Sequence, residues 1–248
     1  NAIRDGITED IDFEALNARY QPDFDPKDEA YVYLCSHNKM ADDINQKKIK
    51  ELGGKSHTYK ADVVGEFKET QYPNDEVLEL KVGAQIMFIR NDTSPDKKYY
   101  NGKLAQISYL DEDEISVILD GSEEEITLKA ETWEQKKYSL DDEKNIKEEV
   151  LGSFKQFPIR LAWAVTIHKS QGLTFDRLII DAGKSFASGQ VYVALSRCRT
   201  LEGIVLKSKI TPEVIFSDKR VSKFQDETHA NAKIDQILNA EKYDYSIQ

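Results

Sequence analysis

Two short apolar runs separated by a polar loop constrain this chain of 248 residues more than any other feature. Leu161-Ala-Trp-Ala-Val-Thr-Ile167 has no clear alternation, which suits a strand covered on both faces, as in a parallel sheet. It breaks directly into His168-Lys169-Ser170-Gln171-Gly172-Leu173-Thr174-Phe175, and a second such run, Arg177 to Asp181, follows. Beyond it, Gly189 to Arg199 reads as a helical stretch with Arg197 and Arg199 near its end. Open α/β sheets bind ligands at the loops leaving the carboxyl ends of their strands, so the His-Lys-Ser-Gln-Gly loop is the candidate site.

The rest of the chain divides around this layer. Residues 1 to 20 read as irregularly helical and end at the linker Gln21-Pro-Asp-Phe-Asp-Pro26. A strand, Ala30 to Cys35, leads through Ser36-His37-Asn38 into a helix whose Ala41, Ile44, Ile49 and Leu52 share a face, closed by Gly53-Gly54. A further strand is expected within Ser56 to Val64. From Gly83 onward, short β-branched runs alternate with turn pairs such as Asn101-Gly102 and Asp120-Gly121, the pattern of a small antiparallel barrel. A charged helix over Asp141 to Val150 is expected to return the chain to the α/β layer at Phe157-Pro158, and a terminal helix over residues 222 to 245. The barrel is therefore an insertion: residues 1–75 and 155–215 form one discontinuous domain, 76–154 hold the barrel and its connecting helix, and 216–248 are an extension. Trp163, Phe175 and Tyr192 read as core, and Trp133 and Tyr138 as packing residues of the barrel rather than base-stacking ones.

Net charge is −11, which taken whole argues against a nucleic-acid partner. Its distribution reverses the inference. Residues 111 to 150 hold fifteen Asp/Glu against five Lys/Arg, whereas residues 151 to 220, around the candidate loops, hold eleven Lys/Arg against five Asp/Glu. The two cysteines, Cys35 and Cys198, sit in apolar surroundings, and two cysteines with four scattered histidines offer no zinc site. A reducing, cytoplasmic compartment is expected. With neither a signal peptide nor a spanning segment in the sequence, a soluble protein without membrane contact is expected. The absent initiator methionine suggests a piece of something longer.

Gly183-Lys184-Ser185 follows a strand and looks like the end of a phosphate-binding loop. Such a loop needs a glycine five positions before Gly183, where Leu178 stands inside the strand. No other Gly-x-x-x-x-Gly-Lys occurs, so the chain alone lacks a cradle for nucleotide phosphates.

Ala164 to Asp176, together with Gly189-Gln-Val-Tyr-Val-Ala-Leu-Ser-Arg197, resembles motifs V and VI of superfamily 1 helicases, specifically the RecD/Pif-like group of DNA helicases. Leu34-Cys-Ser-His-Asn38 with Asn45 resembles the region of motif IV, and Val82 to Asp92 followed by Tyr100-Asn101-Gly102 resembles the start of that family's inserted SH3-like barrel. The resemblance covers about residues 1 to 215. It implies a second RecA-like domain, a parallel sheet with helices on both faces, carrying an inserted SH3-like barrel. ATP and Mg2+ would be bound mainly by a first RecA-like domain that this chain lacks.

By the same resemblance Arg197 is the arginine that reaches the γ-phosphate, where a planar, permanently charged guanidinium stabilises the charge of phosphoryl transfer. Gly172, Thr174 and Gln190 would lie beside the nucleotide. His168, Lys169, Ser170 and Gln171, with Ser36, His37 and Asn38, would face single-stranded DNA and contact its backbone without reading sequence. Many superfamily 1 enzymes have glutamate where Thr174 stands, and their motif IV often offers ATP an arginine that Asn38-Lys39 does not. Movement 5′ to 3′ is implied solely by the resemblance. The alternative reading is an acidic SH3-like module that captures a basic protein partner.

Overall fold

The computed structural model describes residues 2–27, 30–140, 145–182 and 189–215. The terminal helix expected over 222 to 245 and the Gly183-Lys184-Ser185 stretch lie outside those residues. At the amino end, α1 (Ala2–Asp5) and α2 (Phe13–Asn17) are two short helices. Gly6 ends the first with a φ of 71°, and the Asp12 carboxylate caps the second by accepting from the Ala15 amide at 2.9 Å. Next come β1 (Val32–Cys35) and α3 (Asn38–Glu51).

The chain then leaves the layer through β2 (His57–Lys60), β3 (Asp62–Gly65), β4 (Val77–Leu80), β5 (Gln85–Phe88), β6 (Leu104–Leu110), β7 (Ile115–Leu119), β8 (Glu125–Leu128), β9 (Glu131–Leu140), β10 (Ile146–Gln156) and β11 (Ile159–Leu161). It returns with β12 (Ala164–Thr166), β13 (Leu178–Ile180), α4 (Gln190–Leu195) and β14 (Ile204–Leu206).

The returning strands join β1 in a four-stranded parallel sheet ordered β12-β1-β13-β14. Side chains alternate across it, as the pleat requires. Val32 and Leu34 of β1 enter a core with Val165, Leu178, Ile180 and Leu206, closed by Val191 and Ala194 of α4 and by Ile3, Ile11 and Phe13. Tyr33 and Cys35 point the other way, onto Ala41 and Ile44 of α3 with Ala164. The expected parallel sheet with helices on both faces is thus present.

The apolar run Leu161–Ile167 is two strands, not one. Through Leu161 it pairs antiparallel with β5, and from Ala164 it pairs parallel with β1. Gln85 pins the crossing: its side-chain amide nitrogen donates to Tyr31 O at 2.9 Å and to Ala162 O at 2.8 Å. Three more buried amides staple the chain in the same way. Asn45 on α3 both donates to and accepts from the backbone of Ala164 at 2.9 Å, on the side of β12 where the described residues place no strand. Asn74 donates to Phe157 O and Ile159 O, and Gln156 donates to Tyr59 O and Glu76 O. Backbone groups with no ladder partner are met by side chains instead.

The antiparallel part is a five-stranded sheet ordered β11-β5-β6-β7-β8, beside a β2-β4 pair, around Ile86, Phe88, Ile107, Ile115, Val117 and Ile159. That order makes β11 and β8 the end strands of this antiparallel module. A third sheet, β3-β10-β9, stands beside it.

Of the charged helix expected over 141 to 150, residues 146–150 instead begin β10, which pairs with β9 from Ile146↔Leu140 to Gln156↔Glu131. In Ile146-Lys-Glu-Glu-Val150 the two apolar residues stand four apart, a spacing that a helix and a strand both place on one side. Long-range pairing with β9, and Phe154 and Gln156 buried further along the same strand, decide the outcome.

Candidate nucleotide and nucleic-acid site

β1 and β12 are neighbours in register, with Cys35 opposite Thr166, so the two loops leaving their carboxyl ends emerge side by side. The first is Ser36-His37-Asn38. Ser36 is largely buried and its hydroxyl lies 2.7 Å from His37 Nδ1. His37 is the extended residue before α3 and makes no side-chain cap, leaving its ring and Asn38 exposed at the helix start. The Cys35 thiol just beneath is pushed up to about 12, by burial first and Asp42 second, so it is inert rather than nucleophilic.

The second loop is wound tight. Ser170 N donates to Thr166 O at 3.0 Å, Gln171 N to His168 O at 3.3 Å, and Leu173 N to Ser170 O at 3.0 Å. This winding turns His168, Lys169 and Gln171 outward. Ser170 does not face outward as expected. It is 0% exposed and its hydroxyl donates to Ile167 O at 2.7 Å, so it fastens the turn from inside. Gly172 takes a φ of 78° with open space where a Cβ would stand, so conformation, not close approach, calls for glycine there.

From Gly172 the loop runs back toward the amino ends of β13 and β14. Thr174 is exposed, while Leu173 and Phe175 are buried. Phe175 forms a parallel bridge with Cys198: Phe175 N donates to Arg197 O at 2.8 Å and Arg199 N to Phe175 O at 2.9 Å. The two arginines differ sharply. Arg199 pairs with Asp176 at 2.9 Å in the open. The half-buried Arg197 guanidinium donates to Val193 O and Leu173 O, each at 3.2 Å, and to the Ser196 hydroxyl at 3.0 Å. Among the described residues none of its acceptors is a carboxylate, so its positive charge is oriented but not neutralised. Gln190 opens α4, after Gly189 at a φ of 76°.

The antiparallel module touches this loop at the Gly102 turn. Gly102, at a φ of 94°, brings its backbone so close to Leu173 that a Cβ would lie 3.0 Å from Leu173 Cδ2. Met87 and Leu104 join Leu173 in the core of the parallel layer. Trp163 packs against the module core, Phe175 is buried, and Trp133 lies against Phe154 with Arg90 over its ring, so these aromatics pack as the sequence suggested. Sequence reasoning missed Asp176, the Leu173 carbonyl and Gly203. None stands at a periodic position, and a carbonyl leaves no mark in a sequence.

A parallel α/β layer with these loops is the architecture of a superfamily 1 helicase domain, and comparison with known proteins names the family. No protein-family model matches the chain. It is 34% identical over 198 residues to the ATP-dependent DNA helicase Pif1 of Campylobacter jejuni, across 75% of this chain and 43% of that protein. It is 33% identical over 227 residues to that of Bdellovibrio bacteriovorus, across 90% and 48%. Unliganded Pif1 from Bacteroides sp superposes with a TM-score of 0.84 at 36% identity, across 94% of this chain and 53% of that one. Bacteroides Pif1 in complex with ADP-AlF3 and ssDNA gives 0.68 at 36% identity, across 94% and 54%. The chain belongs to the Pif1 family of helicases, and it spans about half the length, or less, of these relatives.

Proposed function

We propose that this chain is the half of an ATP-driven DNA motor that supplies Arg197 to a nucleotide held by another half and grips single-stranded DNA at the paired loops. The observation that carries the reading is the guanidinium of Arg197, fixed by two carbonyls and a hydroxyl, with no carboxylate among its acceptors in the described residues. A charge oriented before the reaction stabilises the γ-phosphoryl transition state without reorganising, typically by about 10³ to 10⁵ in rate. Gly172, Thr174 and Gln190 would lie beside that nucleotide. ATP and Mg2+ would be held mainly by the other half, because the sequence has no Gly-x-x-x-x-Gly-Lys. Among the described residues no group of three His, Cys, Asp or Glu offers a metal site either.

His168, Lys169 and Gln171, with His37 and Asn38, form the DNA-facing surface, where phosphate contacts hold a strand irrespective of its sequence. Ser170 and Ser36 support these loops from beneath. The test is the full-length motor with Arg197→Ala, assayed for ATP turnover and strand binding. Turnover should fall by at least about 10³ with strand affinity kept within about twofold. Unchanged turnover would remove Arg197 from the reaction, and loss of both would make it a structural residue.

A further inference from the structure

Gly203 lies outside every motif described above, in the turn before β14, yet it meets the loop and the arginine segment at once. A Cβ built on it would stand 2.0 Å from the carbonyl oxygen of Asp176, 3.1 Å from its carbon and 2.9 Å from Cys198 Sγ. Its φ is not in the left-handed region, so space alone excludes a side chain here. The crowded carbonyl also accepts from Cys198 Sγ at 3.5 Å. It belongs to the residue directly after Phe175, whose amide donates to Arg197 O and whose carbonyl accepts from Arg199 N, the two hydrogen bonds that flank Cys198 next to Arg197.

We propose that Gly203 is a positioning residue for Arg197: its missing side chain lets β14 close on Asp176 and hold the Phe175–Cys198 bridge, which ties down the backbone from the Arg197 carbonyl to the Arg199 amide. The proposal rests on the reading of Arg197 given above for its effect on turnover, and on geometry alone for its effect on the bridge. Any side chain at 203 must push backbone, because the nearest atom is a carbonyl and not the end of a flexible chain.

Two measurements on Gly203→Ala test it. In this chain, amide hydrogen exchange should show Phe175 and Arg199 losing at least about tenfold of their protection while Ile107 and Val117 in the module keep theirs. In the full-length motor, kcat for ATP should fall at least about tenfold with KM within about twofold, and should fall no further when Gly203→Ala is added to Arg197→Ala. Retained protection overturns the proposal, as does a loss of turnover that multiplies with that of Arg197→Ala. If Arg197→Ala alone leaves turnover intact, the catalytic reading has failed, and the exchange result still decides whether Gly203 holds the bridge. Should Gly203→Ala not fold, Cys198→Ala removes the sulfur donor to the same carbonyl without adding an atom. Weakened protection at Phe175 and Arg199 then supports the proposal and unchanged protection overturns it.

Discussion

The loops of the parallel sheet and the outer half of the β9–β10 hairpin are both rich in polar and charged residues, but they are supported in different ways. In the loop from His168 to Asp176, exposed side chains stand on a backbone fixed from several directions: Ser170 from inside, Cys198 by a bridge, and Gly102 from the module. In the hairpin, Lys136 pairs with Glu148 at 2.9 Å across exposed strands, and Tyr138 and Ile146 are 63% and 73% exposed. That backbone is supported chiefly by its own ladder. Polar side chains held on a backbone that cannot yield are suited to bind, because little freedom is left to lose on binding. Polar side chains on a free-standing ladder keep a strand solvated.

The contrast predicts where substitutions register. The largest stability effect should come from beneath the loops, at Asn45→Ala. It strips both partners from the Ala164 backbone, and a buried backbone group left unsatisfied costs about 1–3 kcal/mol, so a loss of about 3 kcal/mol is expected in urea unfolding. A loss under about 1 kcal/mol would mean that the parallel edge does not depend on this staple.

Next, Lys169→Gln should weaken single-strand binding several-fold and flatten the dependence of log affinity on log salt by about 0.7, the value of one phosphate contact. Lys137→Gln on the hairpin should change neither. Equal effects at the two lysines would erase the distinction between held and free-standing charge.

The sheet was legible because apolar runs without alternation have few other folds open to them, and the loops because their residues have no packing reason to be there. Two errors share one cause, that patterns of local sequence cannot see partners far along the chain. Residues 146–150 have the charges of a solvated helix, and only β9 makes them a strand. Ser170 sits among exposed polar neighbours, and only the winding of the turn buries its hydroxyl under Ile167. Arg197 was legible as a charge but not in its setting. Its acceptors are main-chain carbonyls and a neighbouring hydroxyl, which any sequence could have supplied.

The smallest effect belongs to the outer hairpin, and it is the sharpest test of the comparison. Tyr138→Ser removes a large apolar side chain, which in a core would cost about 3 kcal/mol or more. Here Tyr138 is 63% exposed beside Lys136 and across from Glu148, so little apolar area leaves water on folding. Surface substitutions away from packing and caps stay within about 0.5 kcal/mol, and Tyr138→Ser should do the same in urea unfolding. A loss of more than about 1 kcal/mol would mean that this face is covered in solution, and concentration-dependent sedimentation of the wild-type chain would then tell self-association from a cover within one molecule. Strand affinity read on the same variant separates the regions again: unchanged binding keeps the DNA-facing surface on the parallel-sheet loops, and weakened binding extends it onto the hairpin.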